Sequence, residues 1–98
     1  MTFTMDREGT KLTVAIQGNL DTLTSPELEK ALEPALEGVT DLTLDLKELE
    51  YISSAGLRVL HGAAQVMSQQ GSIRTIHVQE DVMDVFVMTG FGKVLKVE

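Results

Sequence analysis

Two adjacent serines, Ser53 and Ser54, occupy the position in this chain best suited to chemistry. They follow Leu44-Asp45-Leu46-Lys47-Glu48-Leu49-Glu50-Tyr51-Ile52 and lead directly into Ala55-Gly56-Leu57 and a long apolar-striped segment. A short strand, a turn and a helix start therefore meet at a hydroxyl. The first N–H groups of a helix have no intrahelical acceptor, and the helix dipole puts partial positive charge beside them. A phosphate on either hydroxyl would be stabilised there and would add about two negative charges to the surface. The commonest role of a serine before a helix is to cap it, worth about 1 kcal/mol. Capping and phosphate acceptance can fall to neighbouring serines.

Nucleophilic catalysis is the sharper alternative. Strand, serine and helix in succession partly match the nucleophile elbow of hydrolases. That elbow carries glycine two positions before its serine, where this chain has Ile52. It also needs a histidine base and an orienting acid. Only His61 and His77 are present. His61 falls about two turns along the helix that Ser54 begins, too far along the axis to bond its hydroxyl. His77 falls near the end of a strand. The two histidines are widely spaced, and no adjacent carboxylate pair completes a metal-binding set. Gly90-Phe91-Gly92 follows a helix, whereas a phosphate-binding glycine loop opens one. Asp21 and Asp45 each end a strand-like segment and are expected to flank the serine loop. They can cap turns and hold loop N–H groups, or set the charge by which a kinase finds the hydroxyl.

The elements that must position these residues follow from hydrophobic spacing. Phe3–Arg7 reads as a strand, Glu8-Gly9-Thr10 as a turn, and Lys11–Gly18 as a hairpin partner with Leu12, Val14 and Ile16 on one face. Asn19–Leu23 reads as a loop. A helix starts near Thr24-Ser25-Pro26-Glu27, either as a capping box or as a cap followed by proline. Leu28, Ala31, Leu32, Ala35 and Leu36 form its apolar face, and Pro34 predicts a kink or an early end. Leu42–Leu46 is a short strand. The second helix, beginning after Ser53 or Ser54, carries a core stripe of Leu57, Leu60, Ala63, Ala64 and Met67. Gly56 in its first turn permits a close approach, and Gly71 is placed to cap its end. Ile73, Ile76 and Val78 mark another strand. Glu80-Asp81 opens a third helix ending at Thr89-Gly90, and Val94–Val97 reads as a terminal strand. Met67, Met83 and Met88 fall on helical stripes as core or adaptable contact residues. The order predicts an α/β fold in a single domain over 1–98: a mixed four- to five-stranded sheet, an N-terminal hairpin and about three main helices packed on it.

Bulk properties narrow the function. With 98 residues, 43% apolar, the chain suits one soluble core. It lacks cysteine, any long apolar run and a signal-like N-terminus, and a cytoplasmic location is expected. The net charge is -7 and the eight basic residues are scattered, so nucleic acid and anionic membranes are disfavoured partners.

Three blocks then resemble the STAS domain of bacterial anti-sigma factor antagonists over nearly the whole chain. Gly18-Asn19-Leu20-Asp21 with Ser25-Pro26-Glu27-Leu28 is similar to that family's Gly-x-Leu/Ile-Asp loop and first helix start. Asp45-Leu46 with Tyr51-Ile52-Ser53-Ser54-Ala55-Gly56-Leu57 resembles its phosphorylation loop. Phe86 with Thr89-Gly90-Phe91 and Val94-Leu95 resembles its C-terminal helix and strand.

The resemblance implies a non-enzymatic protein-binding module that needs no cofactor. Unphosphorylated, such a protein sequesters an anti-sigma factor that is also an ATP-dependent serine kinase, and so frees a sigma factor. Phosphorylation of a loop serine ends the binding, and a metal-dependent serine phosphatase resets it. Many members have aspartate at the slot of Ser53 and a hydroxyl residue at that of Ala55. Carried onto this chain, the phosphoacceptor is Ser54, with Ser53 in reserve. The partner surface falls on Asp21, Ser53, Ala55, Gly56, Leu57 and Arg58. The alternative is a constitutive docking subunit of a transporter ATPase or signalling complex. Some relatives have also been proposed to sense small ligands. Exposed helix faces leave room for a weak homodimer.

Overall fold

The computed structural model describes residues 1–98. Leu12, Val14 and Ile16 alternate along β2 (Lys11–Leu20), and all three are buried on one face. β1 (Thr2–Glu8) pairs antiparallel with β2 through the tight turn at Gly9-Thr10. On the other side of β2, β3 (Asp41–Asp45) runs parallel and sets Leu42 beside Leu12 and Leu44 beside Val14. β5 (Ser72–Ile76) is parallel to β3, giving the order β1-β2-β3-β5.

The sequence reading has no strand between Leu46 and Ser53. The structure places β4 (Leu49–Ile52) there, parallel to the end of β2. β2 thus pairs with β3 along its first half and with β4 along its last residues. The change falls at Gly18, whose φ of 85° is a left-handed conformation that glycine adopts without strain. Asn19 and Leu20, expected in a loop, are therefore strand residues.

The helices are α1 (Ser25–Ala35), α2 (Ser54–Gln70), α3 (Glu80–Thr89) and the short α4 (Phe91–Val94). Thr24 stands at the N-cap of α1 without capping through its side chain. Pro34 lies in the last turn, and the helix ends one residue later. The Arg7 guanidinium donates to the Glu37 carbonyl at 3.0 Å and the Gly9 carbonyl at 2.9 Å. It brings to the end of α1 the positive charge that the helix's own last turn lacks. The expected stripe of α2 is buried throughout, and Gln70 Nε2 donates to the Leu36 and Val39 carbonyls, each at 2.7 Å. That amide ties the ends of α1 and α2 together.

Two expectations near the C-terminus are corrected. The residues of β5 that face inward are Ile73 and Thr75, because side chains two apart share a face; Ile76 is half-buried and His77 already leaves the strand. Val94–Val97 is not a strand. Gly90 ends α3 in a left-handed conformation, α4 follows, and a single bridge joins Val97 to Thr75. The buried Thr75 hydroxyl donates to the Leu95 carbonyl at 2.9 Å, which anchors the segment. Val82 and Phe86 turn α3 onto the core, leaving Val87 and Met88 exposed, so Met67 is a core methionine and Met88 a surface one. The apolar face of the sheet meets the helices. The opposite face is polar, with Thr13, Thr43 and Arg74 side by side and Arg74 Nε donating to Thr43 Oγ1 at 3.1 Å.

Candidate phosphoacceptor and docking surface

β2 and β4 are parallel neighbours, so their carboxyl ends open at the same edge of the sheet. The Ser53 N–H donates to the Leu20 carbonyl at 2.9 Å, which sets the serine loop against the Asp21 loop. α2 then turns back onto these strand ends. Gly56 makes that fit: a Cβ there would lie 2.8 Å from the Leu20 carbonyl oxygen and 2.9 Å from the Ile52 side chain. Gly56 and Leu57, both expected on the partner surface, are buried and face inward. Their contribution is to fix where the helix start sits.

The two serines are not equivalent. Ser53 is the N-cap, in extended backbone, and its hydroxyl accepts the Gly56 N–H at 3.2 Å. Its carbonyl accepts the Leu57 N–H at 2.9 Å. Ser54 is the first helical residue, is exposed, and makes no side-chain hydrogen bond within the chain. The N–H groups of Ser54 and Ala55 precede the first intrahelical bond and point away from the body of the helix. Ala55 is half-buried. Arg58 lies four residues after Ser54, exposed on the same helix face and free of any carboxylate within ion-pair distance.

The acids separate in role. Asp21 Oδ1 accepts from the Thr24 N–H, the Leu23 N–H and the Thr24 hydroxyl, each at 3.0 Å. Bonding from the Thr24 backbone first, then from its hydroxyl, holds the Asp21 carboxyl below the usual carboxylate range. Asp21 thus orders its own loop while keeping a negative charge beside the serines. Asp45 turns to the end of β5 instead. Its Oδ1 meets His77 Nδ1 at 3.0 Å and accepts the Lys47 N–H at 3.1 Å. His61 stacks on Phe91 with ring centroids 5.2 Å apart. Both histidines are engaged away from the serine hydroxyls.

Two apolar residues join this edge without having been singled out in sequence. Leu23 is 89% exposed at the tip of the Asp21 loop, and Tyr51 is 53% exposed on β4, beside Asn19. Leu23 carries a sequence signal, an isolated leucine among Asp21, Thr22 and Thr24. Tyr51 carries none, because the four residues of β4 do not alternate in burial.

The STAS family model, described as "Mlab, STAS domain", matches residues 3–97. A Bordetella bronchiseptica protein, BtrV, named as a candidate anti-sigma factor antagonist, is 35% identical over 99% of this chain and 85% of its own length. The anti-sigma-B factor antagonist of Bacillus subtilis is 31% identical, covering 86% of this chain and 78% of its own. The anti-sigma factor antagonist SpoIIAA in its unphosphorylated form superposes with a TM-score of 0.85 at 17% identity, over 99% of this chain and 88% of that one. Its phosphorylated form from Bacillus gives 0.75 at 16%, over 99% and 91%. At that identity the likeness establishes the fold: a mixed five-stranded sheet with four helices. With the family model spanning almost every residue, this chain belongs to the STAS domain family, among relatives named anti-sigma factor antagonists.

Proposed function

We propose that this protein is a phosphorylation-switched anti-sigma factor antagonist of the cytoplasm, built as one STAS domain over residues 1–98. Unphosphorylated, it binds an anti-sigma factor that is also a serine kinase, and a sigma factor is released. The kinase transfers phosphate to Ser54, the complex dissociates, and a metal-dependent serine phosphatase restores the binding form. The names of the relatives support the partner class. The observation that carries the choice of residue is the contrast between the serines: the Ser53 hydroxyl is engaged in capping and the Ser54 hydroxyl is free and exposed.

The physics of the switch is local. A phosphate on Ser54 enters beside the open N–H groups of the first turn and within one turn of Arg58, so the fold tolerates it. On the docking side it adds bulk and charge to the edge that carries Asp21, Leu23 and Tyr51, where a partner must lose water to fit. No rearrangement of the fold is required. Asp21 and Arg58 supply charges of opposite sign to this edge, and Leu23 and Tyr51 supply exposed apolar area.

Titration calorimetry against the anti-sigma factor kinase tests the proposal. Ser54→Ala should bind like the unmodified protein and resist release by ATP. Ser54→Asp should weaken binding by about tenfold or more, about 1.4 kcal/mol. Binding of Ser54→Asp as tight as that of the unmodified protein, or release of Ser54→Ala by ATP, would refute it.

A further inference from the structure

α1 and α2 lie side by side over the sheet, and a groove runs between them away from the serine loop. Its floor is Leu32 of α1 and Leu36 just past its end, with Val59 and Ala63 from α2. Val66 forms one edge and is 44% exposed; Glu29 and Glu33 form the other. No lysine or arginine lines it.

Gly62 sits in this groove, in the interior of a 17-residue helix. Glycine there is less favourable than alanine by about 1 kcal/mol. Its backbone does not require glycine, since its φ is not positive. Packing within the chain does not require it either: a Cβ would meet nothing within 4 Å. Gly56, by contrast, is pressed against the Leu20 carbonyl. The missing side chain at Gly62 leaves the α2 backbone open to close approach from outside the chain.

We propose that this groove docks a cationic amphipathic helix of a partner protein. Its apolar stripe covers Val59, Gly62 and Val66, and its lysines or arginines meet Glu29 and Glu33. Charge selects this occupant over a second copy of the chain. A two-fold contact through the groove would cover Glu29 and Glu33 of both copies with no lysine or arginine of the groove to pair them, in a protein whose net charge is already -7. The surface shares no residue with the Asp21–Ser54 edge, so its occupant need not be the partner bound there.

The test titrates the isotopically labelled full chain, followed by NMR, with two synthetic peptides of about 18 residues, long enough for helix formation. One carries leucine at helical spacing with lysine elsewhere; the other has glutamate in place of lysine. The lysine peptide is expected to shift the amide signals of Glu33, Gly62 and Val66, and the glutamate peptide to leave them in place. Gly62→Leu should weaken the lysine peptide by about tenfold, and Glu29→Lys combined with Glu33→Lys by at least as much. Arg74→Ala, on the opposite face of the sheet, should bind as the parent does. Should Gly62→Leu fail to fold, Gly62→Ala, for which there is room, should still weaken the peptide several-fold. Equal response to both peptides, shifts centred elsewhere, or unchanged affinity in the glycine variants would overturn the proposal. Sedimentation showing a dimer that Gly62→Leu dissolves would overturn it too, by giving the groove to a second copy.

Discussion

The Ser53 hydroxyl accepts the Gly56 N–H at 3.2 Å, and that bond divides the work between two neighbouring serines. Ser53 caps the helix, while Ser54 is exposed at the surface and its hydroxyl makes no hydrogen bond within the chain. Ser53→Ala should therefore lower unfolding stability by about 1 kcal/mol, the usual value of a lost N-cap. Ser54→Ala should change it by less than about 0.5 kcal/mol. Urea denaturation of the two variants reads the difference directly. Equal losses would mean that the capping assignment is wrong.

Gly56 and Gly62 should respond in opposite directions to the same substitution. Gly56→Ala forces a Cβ to within 2.8 Å of the Leu20 carbonyl oxygen, and α2 must lift from the strand ends. A loss of about 1–3 kcal/mol is expected, the usual range for overpacking. Gly62→Ala meets open space and should gain about 0.5–1 kcal/mol. Thermal unfolding should move the melting temperature down for the first and up for the second.

Thr75 is fully buried on β5, and its hydroxyl holds the Leu95 carbonyl. Thr75→Val keeps the shape and removes the donor, leaving that carbonyl without its partner. A loss of about 1–3 kcal/mol follows. Amide exchange near Val97 and Glu98 should quicken more than exchange in β2, because the C-terminal segment pairs with the sheet only through Thr75.

The Asp21 carboxyl has its pKa lowered by the Thr24 and Leu23 donors from an ordinary 3.8. A folded-state pKa below the unfolded one contributes stability that is fully present above about pH 4 and is lost as pH falls through the folded value. Carbon-detected NMR titration of the Asp21 side chain should show a midpoint below 3.8. Thr24→Val removes the hydroxyl donor and should raise that midpoint. A midpoint at or above the ordinary value would contradict the hydrogen-bonding pattern.

Strong periodicity made most of the fold legible from sequence. Leu12, Val14 and Ile16 alternate, and Leu57, Leu60, Ala63, Ala64 and Met67 repeat at helical spacing; each set is buried as its spacing implies. β4 escaped because Leu49 and Ile52 are buried while Glu50 and Tyr51 between them are exposed, so no period of two exists to be read. Val94–Val97 looked like a strand by composition. Its conformation is set instead by the left-handed turn at Gly90 and by the bond to Thr75, a partner distant in sequence. Apolar residues run almost continuously along α3, so sequence alone could not show that Val82 and Phe86 turn inward and Met88 outward. At the site, the motif placed the serines at a helix start. Which one caps depends on a single residue of helix register, and that is set by how Gly56 seats against Leu20.

The central claim is that phosphate on Ser54 controls a protein partner. Tandem mass spectrometry on the protein isolated from its native cells, with its partners co-purified, tests this most directly. The account predicts phosphate on Ser54 and not Ser53, with a serine kinase of the anti-sigma type recovered only with the unmodified form. Protein that stays unmodified under every condition while bound to a transport ATPase or another complex would contradict it, and would make this chain a constitutive docking subunit.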